Sequence, residues 1–231
     1  MKTFIIYVEG HEKSKQYALN CLRSVKDQGY DARLFEGVTP DTLDQYQEHT
    51  NYEDLKGSRI CDFKRENKNK YLTKKSCFTN HIRLWKTCVS LNEPIVVLEQ
   101  DSHCVGRWSK TFQFEDILIL NIDSAFKQPT FGHIRLKPKY LIGIGDYLDP
   151  SVTPLRYYKP TVFKGAYMLP GTAAYAVTPK GATKLLNAAR IHGWDQSDFF
   201  INTNIVNIKY ILPEIFSFKY KNLNMSHGIK K

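Results

Sequence analysis

Pro94-Ile95-Val96-Val97-Leu98-Glu99-Gln100-Asp101 decides how this chain is read. A proline stop is followed by four unbroken apolar residues and then by two acids flanking a glutamine. A short, mostly β-branched run without alternation reads as a strand buried on both faces. Carboxylates do not sit inside such a strand without partners. Glu99 and Asp101 are therefore expected at its carboxyl end, where open α/β sheets bind ligands. Strand alternation places them on one side and Gln100 on the other. Two carboxylates on one side suit a hard divalent cation that itself holds a phosphate. A solvated acidic turn is the plain alternative.

Outward from this strand, residues 76–91 predict a helix, with Phe78, Ile82, Trp85 and Val89 recurring on one face. The helix leads through Asn92 and Glu93 straight into the strand. His81, more than two turns back, therefore comes level with the acidic end, as a site residue or as a core histidine satisfied by the backbone. Residues 3–8 and 32–35 predict strands. Between them a helix spans 13–28, with Tyr17, Leu19, Leu22 and Val25 inward and Gly29 as its stop. Residues 117–122 predict a further strand. The sum is an α/β fold, a mostly parallel central sheet flanked by helices. No glycine-rich phosphate fingerprint follows the first strand, which disfavours a dinucleotide fold.

Residues 37–75 predict a short helix from Asp41 to about 48 and then an extended loop. Residues 123–168 are irregular, and Tyr140, Tyr147, Tyr157, Tyr158 and Tyr167 offer either a stacking floor for a sugar or base or plain packing. Gly171 to Ala182 reads as a small-residue strand turning into a helix, with Thr178 as N-cap and Pro179 as first helical residue. Its small residues admit a ligand or another strand close to the backbone. Asp195 and Asp198 open an amphipathic helix, where either could serve only the helix dipole. Residues 208–213 form the last strand, before a basic tail that carries His227. With no repeat and no linker, residues 1–231 read as a single domain.

The formal charge of +10 favours an anionic partner, whether nucleotide, nucleic acid or anionic lipid surface. Between Lys56 and Lys75, eight Lys/Arg meet only Asp62 and Glu66, which reads as a solvated, mobile loop or as a phosphate-binding run. No apolar run approaches the ~18 residues of a membrane span. The opening apolar residues are followed at once by Glu9, His11, Glu12 and Lys13 without a cleavage site, so a cytoplasmic protein is expected. Five scattered cysteines, never in a Cys-x-x-Cys arrangement, argue against a zinc ribbon or a disulfide framework.

Three stretches in order, Leu72 to Lys86, Pro94 to Asp101 and Gly171 to Leu186, resemble glycosyltransferase family 25, which includes lipooligosaccharide and collagen galactosyltransferases. The matching features are a helix with His81 and Trp85, an acidic metal motif at Glu99-Gln100-Asp101, and the Gly171 segment with Tyr175. Gln100 stands where the family pattern has an acid, Asn80 where it has a serine, and Lys75 where an acid is usual. The resemblance implies a GT-A-like nucleotide-sugar fold, Mn²⁺ or Mg²⁺, and a UDP-sugar donor such as UDP-glucose or UDP-galactose. It implies Asp101 on the metal, with Glu99 on the metal's waters or on the donor. It places His81 and Gly171 beside the donor, and Asp198 or Asp195 as general base of an inverting transfer. His227 is a candidate third metal ligand. The acceptor stays open between 5-hydroxymethylpyrimidine in DNA, as in a phage-type enzyme, and a lipooligosaccharide glycan. A binding module without turnover is the competing reading, motivated by Gln100.

Overall fold

A computed structural model describes residues 1–107, 113–121, 143–146, 163, 166, 168 and 171–218 of the 231. The tyrosines of 140–167 singled out above and His227 lie outside the described residues.

Seven strands form the main sheet: β1 (Lys2–Tyr7), β2 (Ala32–Glu36), β3 (Ile95–Glu99), β5 (Ile117–Ile119), β6 (Gly143–Asp146), β7 (Ala174–Val177) and β8 (Ile208–Leu212). Their order is β2-β1-β3-β7-β5-β8-β6. A small second sheet pairs β4 (Ser102–Cys104) with β9 (Phe216–Phe218). The fold is α/β, as expected, but the sheet is mixed rather than mostly parallel. β1 runs parallel to β2 and β3, and β5 to β8, whereas β7 runs against both neighbours and β6 against β8. β7 leads directly into its helix on a short N-cap turn, so no crossover returns it parallel to β3.

Both sheet faces are covered, which is why β3 shows no alternation. Ile95 and Val97 pack with Phe4 and Ile6 beneath α4 (Lys68–Leu91) and α5 (Pro179–His192). Val96 and Leu98 pack with Ile5 against α1 (Glu12–Asp27). The inward face of α1 is Ser14, Ala18, Cys21 and Val25 rather than Tyr17, Leu19 and Leu22, and Leu19 is 45% exposed. Small residues let α1 lie close to the sheet, and Ser14 Oγ accepts from Val8 N at 2.8 Å to fix the turn after β1. On α4, Cys88 is buried and Val89 is exposed, the reverse of the predicted face.

Residues 37–75 are not an extended loop. A 3-10 turn (Leu43–Tyr46), α2 (Gln47–Thr50), α3 (Arg59–Glu66) and the first two turns of α4 occupy them. Ser58 caps α3 and Asn67 caps α4 through side-chain oxygens. Ile60, Phe63 and Tyr71 are buried. The basic run is therefore the outer face of two packed helices. Lys64 pairs with Asp54 at 2.7 Å, Arg65 pairs with Asp62 at 2.6 Å, and Lys70 stacks over Phe63.

Asp54 ties this region to the chain's later half. Its Oδ1 accepts from Tyr71 Oη at 2.6 Å and from Trp194 Nε1 at 2.8 Å. The backbone joins too, with Trp194 N donating to Glu53 O at 2.8 Å and Leu55 N to Trp194 O at 2.9 Å. Gly193, just before, has φ +88°, and a Cβ there would overlap the Glu53 carbonyl oxygen. Gly193→Ala thus adds both left-handed strain and a clash with backbone. We expect a loss of roughly 2–4 kcal/mol in urea unfolding; a change below about 0.5 kcal/mol would contradict this packing.

Candidate active site

β3 ends at Glu99, and Gln100 and Asp101 form a turn before β4. Strand alternation therefore stops short of Asp101, and the turn, not the pleat, sets how the two acids face each other. The turn is pinned at both ends to one carbonyl. Glu99 N donates to Ala173 O at 2.9 Å and Ser102 Oγ donates to the same oxygen at 2.6 Å. The Gly171 segment thus lies beside the acids because β7 pairs with β3, Ala174 opposite Leu98.

Gly171 has φ +87° with nothing near a would-be Cβ, so backbone conformation rather than crowding favours glycine there. The next residue, Thr172, donates its hydroxyl to Glu99 Oε1 at 2.6 Å. Gln100 is half-buried within the turn.

The acids sit in a costly electrostatic setting. Burial, then the charge of Glu99, pushes the Asp101 carboxyl up to about 7. Glu99 is also raised, by burial first and then by the charge of Asp198, with the Thr172 hydrogen bond and Lys74 opposing. Its side chain keeps 36% of its surface exposed, so it lies in a recess open to a ligand. Asp101 Oδ1 is buried without a hydrogen-bond partner. A bare carboxylate oxygen beside a second carboxylate is what a hard cation would relieve, and its binding would reverse both upward shifts. Among the described residues no group of three or more His, Cys, Asp or Glu could hold a metal ion. A cation held by one or two carboxylates and completed by waters and substrate phosphates needs no such cage.

His81 is buried on α4 and faces this recess. Its Nδ1 lies 2.8 Å from Tyr175 Oη, and its Nε2 lies 4.0 Å from Glu99 Oε1. Burial pushes its pKa down to about 3, so the ring is neutral and makes no ion pair with Glu99. Next to His81, Asn80 clamps the loop after β2, accepting from Val38 N at 2.7 Å. Cys77 is no nucleophile at neutral pH, because burial pushes its thiol up to about 11.

The two candidate bases separate. Asp195 is 1% exposed, and its Oδ1 accepts from Gln196 N at 2.7 Å, a local turn bond. Asp198 is half-buried in the single turn α6 (Ser197–Phe200), and its charge reaches both Glu99 and Cys77. The expected amphipathic helix is thus only four residues long.

Sequence reading singled out neither Thr172 nor the hydroxyl of Tyr175. A tyrosine in an alanine-rich buried strand must find a partner for its O–H, and that was the available signal. A cavity of about 360 Å³ lined by Phe35, His49, Arg83 and Lys86 shares no residue with this recess. No described helix is long and apolar enough to cross a membrane.

Comparison with known proteins adds to this geometry. No match is found among curated proteins. Solved structures give distant likenesses. One is a glycosyltransferase involved in the glycosylation of the major capsid of PBCV-1, at 11% identity and TM-score 0.35, covering 97% of this chain and 96% of that one. Another is a mutant Drosophila β-1,4-galactosyltransferase 7 in complex with manganese, UDP-Gal and xylobiose, at 10% identity and TM-score 0.30, covering 97% of this chain and 73% of that one. Both are too remote to bear on the site. The profile of glycosyltransferase family 25 (LPS biosynthesis protein) matches residues 1–201, a span that contains both acids, His81, the Gly171 segment and Asp198. The chain belongs to glycosyltransferase family 25 and is a glycosyltransferase.

Proposed function

We propose that the chain acts as a single GT-A-like domain that moves a hexose from a UDP-sugar to an acceptor hydroxyl, with inversion and with help from Mn²⁺ or Mg²⁺. One observation carries this reading: the partnerless buried oxygen of Asp101 beside Glu99, at the carboxyl end of the central strand. Asp101 and Glu99 would hold the cation, and oxygen ligands favour a hard ion. When bound, the metal supplies Lewis-acid neutralisation of the departing diphosphate. The Asp198 carboxylate takes the acceptor's proton as its oxygen attacks the anomeric carbon. Thr172 holds Glu99 in place, and Gly171 lets the chain turn beneath the donor.

For the acceptor, a glycan hydroxyl is favoured over a DNA base. The family's description points to lipopolysaccharide. Several cations of the 56–75 run are already engaged by Asp54, Asp62 and Phe63, which leaves less of the run for a phosphate backbone.

The test uses radiolabelled UDP-glucose and UDP-galactose with Mn²⁺, offered lipooligosaccharide or 5-hydroxymethylcytosine DNA. Label is expected in the glycan. Label in the DNA alone would replace the acceptor, and no metal-dependent UDP release with any acceptor would leave only a binding module.

Cation affinity should depend on pH with a definite sign. The Asp101 carboxyl must release its proton to take a metal, and it titrates near 7. Mn²⁺ affinity is therefore expected to rise from pH 5.5 to about 7.5 and then level off, falling ~10-fold per unit below the midpoint. Calorimetric titration of Mn²⁺ at several pH values checks this; affinity flat from pH 5.5 to 8 would count against an Asp101 ligand.

A further inference from the structure

Three buried polar side chains from α4 and β7 form a chain that ends at Glu99. Trp85 Nε1 donates to Tyr175 Oη at 3.0 Å, and Tyr175 Oη lies 2.8 Å from His81 Nδ1. Trp85, Tyr175 and His81 are 0%, 0% and 2% exposed. A phenol has one hydrogen to give. If His81 Nδ1 carried the ring proton, it and Trp85 would both donate to Tyr175, whose own hydrogen would be buried without an acceptor. If Tyr175 donates to Nδ1 instead, every group is satisfied. The buried ring is neutral, so its single N–H is then on Nε2, the nitrogen that faces Glu99.

The 4.0 Å from Nε2 to Glu99 Oε1 is too long for a direct hydrogen bond. One oxygen can sit about 2.8 Å from both atoms. Such an oxygen accepts from Nε2–H and donates to the carboxylate. A hydroxyl does both, and a phosphate oxygen cannot. Oε1 already accepts from Thr172, and a carboxylate oxygen has room for a second donor.

We propose that His81 and Glu99 together recognise a hydroxyl group of the nucleotide sugar, and that Tyr175 and Trp85 are positioning residues that fix His81 as the Nε2–H tautomer. The identity of that ligand rests on the transferase reading; the tautomer does not.

The first measurement is therefore made on the unliganded wild-type protein, by nitrogen-15 NMR of its labelled histidines. His81 is expected with Nε2 protonated and Nδ1 bare. Protonated Nδ1 would overturn the proposal whatever the protein transfers. Tyr175→Phe keeps the ring but removes the hydroxyl; mixed tautomers and a donor KM raised about tenfold, with kcat changed less, are expected. A folded Tyr175→Phe protein with unchanged tautomer and KM would refute the positioning role. Should that variant fail to fold, His81→Gln and His81→Asn decide. The glutamine amide reaches the place of Nε2 and should keep several-fold more donor affinity than the asparagine, whereas equal losses would contradict a donor at Nε2.

Discussion

Asp101→Asn is expected to lower sugar transfer by about a thousandfold and, in the same protein, to stabilise the metal-free fold at pH 8. The first effect follows from removing the charge that would hold the cation against the diphosphate, a loss of several kcal/mol at the barrier at roughly 1.4 kcal/mol per tenfold. The second follows from linkage. The folded carboxyl titrates near 7 against 3.8 for its ordinary value, so the folded state binds the extra proton between those limits. Stability of the metal-free wild type therefore falls as pH rises from about 4 to about 7. Asparagine carries no such charge. At pH 8 the variant should be more stable by roughly 1–3 kcal/mol, and at pH 4 the two should coincide. Mn²⁺ should reverse the order by stabilising only the wild type. Urea unfolding with EDTA or with Mn²⁺ measures all of this. A variant that keeps more than a tenth of the activity would mean that the charge is neutralised elsewhere.

Asp198→Asn is the second large effect. Removing a general base typically costs ~10²–10⁴ in rate. The loss should fall on kcat, with UDP affinity and Mn²⁺ affinity within a few-fold of wild type. Asp195→Asn should behave differently, because Asp195 is sealed from solvent against its own turn. It should cost stability, with kcat of the folded fraction held within about tenfold. If Asp195→Asn abolishes kcat in a stable protein while Asp198→Asn does not, the two roles are exchanged.

The central strand was legible because four apolar residues without alternation fit few other places. The Gly171 segment was legible because Thr178 and Pro179 mark a strand-to-helix turn. The start of α4 was hidden, since Lys68, Lys70, Lys74 and Lys75 mask a face that only Tyr71 and its neighbours bury. The reversal at β7 was hidden as well, because a buried strand of Ala-Tyr-Ala-Val carries no sign of its direction. Within the site, Glu99 and Asp101 stood out by adjacency. Thr172 and Tyr175 did not, because their partners lie 73 residues (Glu99) and 94 residues (His81) away in sequence. Asp195 and Asp198 look alike in sequence as acids opening a helix, and only burial and the field at Glu99 distinguish them.

The account stands or falls on the carboxylates holding a cation together with a nucleoside diphosphate. Calorimetric titration of UDP into the full-length protein, with Mn²⁺ and again with EDTA, addresses that most directly. UDP is expected to bind with Mn²⁺, to lose at least ~100-fold in affinity with EDTA, and to lose the metal's contribution in Asp101→Asn. UDP that binds equally well with and without the metal, or equally well to Asp101→Asn, would contradict it.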